Sequence, residues 1–444
     1  MKGMRDDIYC IDSIQKIMRI TISQIPLILS LLIVLISSCV LPASALELSE
    51  ENTIFVSDDK ASPRFVIDSG NIFILDLYFD KYANRNVNQN DEWSKLYLYN
   101  ISTDKLTELT FDDMSNTKAN DPIAISGNTV YWTVNSDYRS YDTDIRSYDI
   151  VSKSYNRLSV PPSHPIELYV QDKTISLLAT KFPDDIDGPN ICISTDAGEN
   201  FKRYRLPGHQ SGGKISGNIV VFCDSRYGQM KNSVHYLNID TWESYQIGDE
   251  TKGVYLYPDI SGSNIVYRFD PDFYSYLKGM DVKQELYITD ILTNKTSLIA
   301  SPNARINVPA IDKDYIVWCD NRNKSNFKLY LYDLKDNKEY FVADINDEYG
   351  AAPLVSKDTI VWSDNVDNRN VIKIVTIRDE NYVDDDISGN SGTDDTGNSE
   401  SPQPQNTNSG NTQSQTASGE VVWIIVSVGI ALIAGAGYHG RKNN

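Results

Sequence analysis

Cysteine is scarce in this chain. Its 444 residues hold five, and Cys10 and Cys39 fall in an N-terminal leader. Cys192, Cys223 and Cys319 remain, an odd number with no Cys-x-x-Cys spacing, which excludes a disulfide framework and a thiolate zinc site. Histidine is scarcer still. The four stand at 164, 209, 235 and 439, and none forms the His-Glu-x-x-His spacing of a zinc hydrolase. There is no Gly-x-Ser-x-Gly elbow of a serine hydrolase. Asp184-Asp185-Ile186-Asp187-Gly188 opens like a calcium loop but lacks the later Glu, and it reads as a solvated acidic loop. Positive charge is also short, with 41 Lys and Arg against 61 Asp and Glu and a net charge of −20. That balance argues against nucleic acid as a partner. No metal and no cofactor is expected.

Long apolar runs are confined to the two ends. Ile20–Val40 follows Lys16 and Arg19 and precedes Ala43-Ser44-Ala45, so residues 1–45 read as a secretory signal peptide cleaved after Ala45. Near the other end, Val421–Tyr438 carries no charge and is followed by Arg441 and Lys442. At about 1.5 Å per residue it spans roughly 27 Å, enough for a bilayer core. Residues 420–440 are therefore expected to be a transmembrane helix, with residues 441–444 as a cytoplasmic tail on the basic side. Residues 379–419 contain Ser, Asn, Asp, Gly, Thr and Gln but neither Lys nor Arg. A stretch of that composition cannot bury a core and reads as a disordered linker.

What fills residues 46–378 is a repeat. A turn followed by an apolar strand appears as Ser69-Gly70-Asn71-Ile72-Phe73-Ile74 and as Ser126-Gly127-Asn128-Thr129-Val130-Tyr131-Trp132. It returns as Ser216-Gly217-Asn218-Ile219-Val220-Val221-Phe222 and Gly262-Ser263-Asn264-Ile265-Val266-Tyr267, with looser copies at 172, 313 and 357. Gly-Asn supplies the positive φ of a tight hairpin turn. A second apolar run follows each turn, as in Lys95-Leu96-Tyr97-Leu98-Tyr99 and Lys328-Leu329-Tyr330-Leu331-Tyr332. Seven units of short strands at this spacing predict an all-β, seven-bladed β-propeller. The seventh unit runs out of chain before an outer strand. The orphan run Thr53–Ser57 is expected to pair beside Val371–Ile377 and close the ring, with Ile54 and Val56 on one side and Phe55 on the other.

The unit best kept by Tyr315–Leu334 and Ser216–Arg226 resembles the TolB-like, WD40-like propeller repeats of bacterial and archaeal envelope proteins. That resemblance implies a surface protein with protein- or glycan-binding roles. Ser194-x-Asp196-x-Gly198-x-x-Phe201 resembles the Asp-box of sialidases and other propellers, where the box is structural. Asp224-Ser225-Arg226 and Asp320-Asn321-Arg322 occupy matching places in units four and six, and Asp364 matches them in unit seven. Two readings stand: a repeated salt bridge inside each blade, or a polar ring at one mouth that binds a ligand. Asn100, Asn294 and Asn323 begin glycosylation sequons.

The leading expectation is a cell-surface, membrane-anchored propeller, extracellular with a cytoplasmic C-terminus. It would act without catalysis, as a binding or scaffold module for a surface protein or glycan. The alternatives are a carbohydrate-active propeller enzyme, sialidase-like or a lyase, and a structural component of the cell envelope.

Overall fold

The computed structural model describes residues 46–57, 61–78, 93–110, 119–135, 143–158, 160, 163–180, 189–206, 208–228, 231–273, 275, 283–322, 326–347 and 350–378. The expected signal peptide at 1–45, linker at 379–419, membrane helix at 420–440 with its tail, the 184–188 acidic loop and the Asn323 sequon lie outside them. Among the described residues no helix is long and apolar enough to cross a membrane.

Seven antiparallel sheets follow one another along the chain. Blade 1 is built from Ala61–Asp68, Asn71–Tyr78, Trp93–Asn100 and Lys105–Leu109, from the inside outward. The inner strands of blades 2 to 7 are Ala119–Ser126, His164–Gln171, Gln210–Ser216, Val254–Ser261, Ala310–Asp312 and Leu354–Ser356. Each inner strand lies against that of the next blade, and the seventh returns to the first. This is a seven-bladed β-propeller.

Why these residues form radial blades is visible in the second strand of each. Its fourth residue is Ile74, Trp132, Leu177, Phe222, Tyr267, Trp318 or Trp362, and all seven are essentially buried. A sheet standing on edge must be apolar on both faces, so these strands are continuous apolar runs rather than alternating ones. Each gap between neighbouring blades then holds its own apolar cluster, seven in all.

The turn joining inner and second strands opens on a residue of positive φ in every blade: Ser69, Gly127, Asp172, Gly217, Gly262, Lys313 and Lys357. Blade 1 departs from the motif alignment by one residue, because Asp68 pairs with Asn71 and the turn is Ser69-Gly70. The residue just before each turn ties it to the next blade. Asp68 Oδ2 accepts from Gly127 N–H at 2.6 Å, Ser126 Oγ from Asp172 N–H at 2.8 Å, and Gln171 Oε1 from Gly217 N–H at 2.8 Å. Ser216 Oγ accepts from Gly262 N–H, Ser261 Oγ from Lys313 N–H and Asp312 Oδ2 from Lys357 N–H, at 2.8, 2.8 and 2.6 Å. Six side chains thus clasp six turns and fix the inner strands around the axis.

Blade 7 contributes Leu354–Ser356, Thr359–Val366 and Arg369–Arg378. Glu47–Leu48 and Asn52–Val56 both pair antiparallel with Arg369–Arg378, in the register Glu47↔Arg378, Thr53↔Lys373 and Val56↔Val371. The alternation expected for Ile54–Val56 is not kept. A bulge between Thr53 and Phe55 turns Ile54 and Phe55 both inward, while Val56 is 48% exposed.

Candidate functional site

The inner strands surround a cavity of about 560 Å³, reached by side chains from all seven blades. All of its charged groups come from one arc. Blades 1 to 5 contribute Arg64, Asp121, Glu167, Tyr169, Lys214 and Asp259 among apolar side chains such as Phe65, Ile123 and Leu168, while blades 6 and 7 contribute Val308, Ala310, Ala352, Leu354 and the hydroxyl of Ser363.

The charged arc is tied across blade boundaries. Arg64 Nε meets Asp121 Oδ2 at 3.2 Å, and Lys214 Nζ meets Asp259 Oδ2 at 2.8 Å. Asp259 also accepts the N–H groups of Ile260 and Ile311 at 2.9 and 3.0 Å. Glu167 is different. Its Oε1 accepts Gly212 N–H at 3.1 Å and its Oε2 accepts the Tyr169 hydroxyl at 2.6 Å, both neutral donors. Burial, then the charges of Glu167, Asp259 and Asp121, push the Tyr169 phenol well above its ordinary range. That phenol therefore stays protonated and donates. Among the described residues no group of three His, Cys, Asp or Glu is placed to hold a metal ion.

One backbone feature sits beside this arc. Tyr257 takes φ +54° within a bulge that lies between Leu256 and Asp259. Its ring is 43% exposed and carries the Arg268 guanidinium 4.7 Å from its centre. A bulky residue in this region costs on the order of 1–3 kcal/mol, so the surrounding structure holds it there.

The sequence-selected aspartates lie elsewhere. Asp224 and Asp320 end the second strands of their blades, Asp364 lies two residues before the end of its own, and each is fully or almost fully buried. Asp224 binds Arg226 through Nε at 3.0 Å and Nη2 at 2.7 Å. Asp320 binds Arg322 likewise at 2.9 and 2.7 Å and accepts from Trp318 Nε1 at 2.9 Å, while Arg322 also reaches Glu339. Asp364 binds Lys373 Nζ at 2.8 Å and accepts from Asn346. The structure engages all three inside their blades and does not bring them together. Sequence reading missed two more of this kind: Asp76, which accepts from Ser57 Oγ at 2.5 Å, and Asp270, which accepts from Gln284 Nε2 at 2.8 Å. The Asp-x-Arg spacing hid them, because their partners are distant in sequence.

The Asp-box lies on the turn after Asn190–Ser194 in blade 3. Ser194 Oγ donates to Asp196 Oδ1 at 2.6 Å, Asn200 N–H donates to the same oxygen at 2.9 Å, and Gly198 takes φ +90°. These bonds, Ser194 first, hold the Asp196 carboxyl down at about 2. Phe201 packs on the cluster between blades 2 and 3. Asn294 is exposed on a turn, and the Asn100 Nδ2 donates to Asn71. Cys192, Cys223 and Cys319 are buried free thiols, and burial pushes Cys223 up to about 12.

Ser233 Oγ lies 3.0 Å from His235 Nε2 in blade 4, with Asp224 nearby. This is not a hydrolytic triad. Among the described residues the His235 Nδ1 has no hydrogen-bond partner, so no carboxylate sets its tautomer, and Ser233 is wholly buried, so no substrate reaches the hydroxyl.

No known protein family matches the sequence, and no curated protein does. Solved structures do match. The β-propeller domain of the trilobed protease from Pyrococcus furiosus, described as having an open velcro topology, matches with a TM-score of 0.53 and 12% identity over 76% of this chain and 99% of that one. An acylaminoacyl peptidase bound to Z-Gly-Gly-Phe-chloromethyl ketone matches with a TM-score of 0.51 and 12% identity over 70% of this chain. The uncomplexed acylaminoacyl peptidase of Pyrococcus horikoshii matches with a TM-score of 0.50 and 12% identity, again over 70% of this chain. The chain spans about half the length of these two peptidase chains, 50% and 49%. At such identity the likeness concerns the fold. It also corrects the expectation of a non-catalytic binding or scaffold module, since the propellers matched here are parts of enzymes.

Proposed function

We propose that this chain is the substrate-admitting propeller of a peptidase, with its central channel as the working site. The observation that carries this reading is the mixed wall of the 560 Å³ cavity, where the charged groups all come from blades 1 to 5 among apolar side chains and blades 6 and 7 add apolar side chains and no charge. An extended peptide has the same duality, with side chains to bury and backbone groups to bond. Sites for small ligands span about 300–1,000 Å³ and combine apolar walls with a few placed polar groups. The peptidase propellers of similar fold support the choice of peptide over saccharide.

The pairing of Glu47–Leu48 and Asn52–Val56 with blade 7 is part of the same proposal, as the device that keeps the ring shut around the channel. So are the TolB-like character of the repeats and the exported, membrane-anchored placement.

The test is photocrosslinking. A short apolar peptide bearing one benzoylphenylalanine should label channel residues such as Ile166 and Ala352, and unlabelled peptide should compete. Labelling restricted to the outer strands would refute the channel as the working site.

A further inference from the structure

We propose that the channel prefers a peptide with a free N-terminal ammonium group, and that Glu167 is the counter-charge that receives it. The inference rests on the reading of the channel as the peptide site and adds which end of the peptide is recognised.

The channel's own charges leave one carboxylate over. Arg64 stands against Asp121, and Lys214 against Asp259. Among the described residues Glu167 bonds Gly212 N–H and the Tyr169 hydroxyl and forms no salt bridge. Each of its oxygens has one such bond and keeps accepting capacity for another donor. The channel therefore carries one net negative charge, set in a partly desolvated wall where Coulomb forces are stronger than in water.

Burial raises the Tyr169 phenol most, and the charges of Glu167, Asp259 and Asp121 on blades 3, 5 and 2 raise it further. The net charge of −20 over the whole chain acts in the same direction at longer range.

The facing wall decides the rest of the ligand. Val308, Ala310, Ala352 and Leu354 offer no side-chain donor, and Ser363 alone among the lining residues of blades 6 and 7 carries a hydroxyl. A sugar acid would meet a negative field on one side and that single hydroxyl on the other. A peptide beginning with an ammonium group and continuing with apolar side chains satisfies both walls. Blocking the amine with an acyl group removes the charge that Glu167 would receive. This separates the channel from a site for blocked peptides, even though one structure of similar fold holds a Z-blocked inhibitor.

The experiment uses the full-length chain and three tetrapeptide amides of sequence Ala-Val-Leu-Phe: unblocked, N-acetylated and N-succinylated. Affinities are measured calorimetrically at neutral pH. The unblocked peptide should bind about tenfold tighter than the acetylated one, and the succinylated peptide should bind weakest. In E167Q, the ratio of unblocked to acetylated affinity should fall towards one while the acetylated affinity holds. Equal affinities in the parent chain, or an unchanged ratio in E167Q, would overturn the ammonium preference. Ala352→Trp, a substitution at an exposed position on the apolar wall, tests the channel separately. It should weaken all three peptides. If none loses affinity, binding lies elsewhere and the channel reading itself fails, whatever the E167Q result.

Discussion

Lys373 offers the most exacting test of how blade 7 is held. Its side chain is 7% exposed and its ammonium sits 2.8 Å from Asp364 Oδ2 and 2.8 Å from Glu51 Oε1. Asp364 is fully buried, whereas Glu51 is 43% exposed and adds little. Lys373→Met keeps the length and apolar stem but leaves Asp364 without its cation. Removing one partner of a buried pair costs about 3–5 kcal/mol. Asp364 keeps the Asn346 N–H at 2.8 Å and the Asn346 Nδ2 at 3.1 Å, so the lower figure applies. Unfolding entropy of about 2.1 cal/mol/K per residue gives a domain of this length about 0.7 kcal/mol per degree. The expected fall in Tm is therefore about 4 °C by calorimetry. Adding Asp364→Leu removes the stranded charge and should restore more than half of it. Burial pulls the Lys373 ammonium down, but its bonds to Asp364 and Glu51 outweigh this and raise it above 10.5. A raised lysine stabilises below its unfolded value and loses that contribution as pH rises through the folded one, so the penalty should be constant from about pH 6 to 9. A Tm change under about 1 °C, or strictly additive losses in the double variant, would refute the latch.

Other outcomes follow from neighbouring features. Deleting residues 46–57 should lower Tm strongly and promote aggregation in light scattering, while trimming 379–419 should do neither; an unchanged Tm on deletion would exclude a closing role. Burial holds His235 down at about 4 against 6.5. Protons then bind the unfolded chain first, so stability should fall as pH drops from about 6.5 to 4, and His235→Gln should flatten that limb in denaturant titrations. Ser216→Ala removes one clasp and should cost about 1 kcal/mol, read as a Tm loss of about 1–2 °C. Protease added to intact cells should release the propeller by cutting within 379–419; full protection until lysis would reverse the proposed orientation.

The ring was legible because one strand of each blade is buried on both faces. That demand writes Thr-Val-Tyr-Trp, Val-Val-Phe-Cys and Ile-Val-Trp-Cys into the chain, and the turns before them punctuate it. The clasps were half legible. The Ser of Ser126-Gly127-Asn128 looks like a turn residue, but its hydroxyl serves the next blade, and Asp68, Gln171 and Asp312 do the same work with other side chains. The channel was not legible at all. Its charged residues come about one per blade, and bulges between Asn120 and Ile123, Pro165 and Glu167, Gly212 and Lys214, and Leu256 and Asp259 break the alternation that would align them. Asp224 and Arg226 stand out in sequence because of the same short spacing that lets them bond each other in the fold.

The seam between blades 7 and 1 differs from the other six in how it is made. Ser356 occupies the clasp position of blade 7, yet among the described residues it makes no bond to the turn of blade 1. Other groups tie the two blades. Asn370 Nδ2 donates to Ala61 O at 2.8 Å, Ser57 N–H donates to Asn370 O at 2.8 Å, and Ser57 Oγ reaches the buried Asp76 of blade 1. Ile54 and Phe55 fill the apolar cluster of the same seam beside Ile72, Ile74, Ile372 and Ile374. The segment that supplies the outer strand of blade 7 therefore also supplies the bonds and packing that replace the missing clasp. Six seams are held by consecutive chain and a turn; the seventh depends on residues more than 300 positions apart in sequence. Loss of residues 46–57 acts on both at once. The separation it causes should begin at Ala61–Asp68 and Leu354–Ser356, the inner strands that face each other across that seam, and not at the clasped ones.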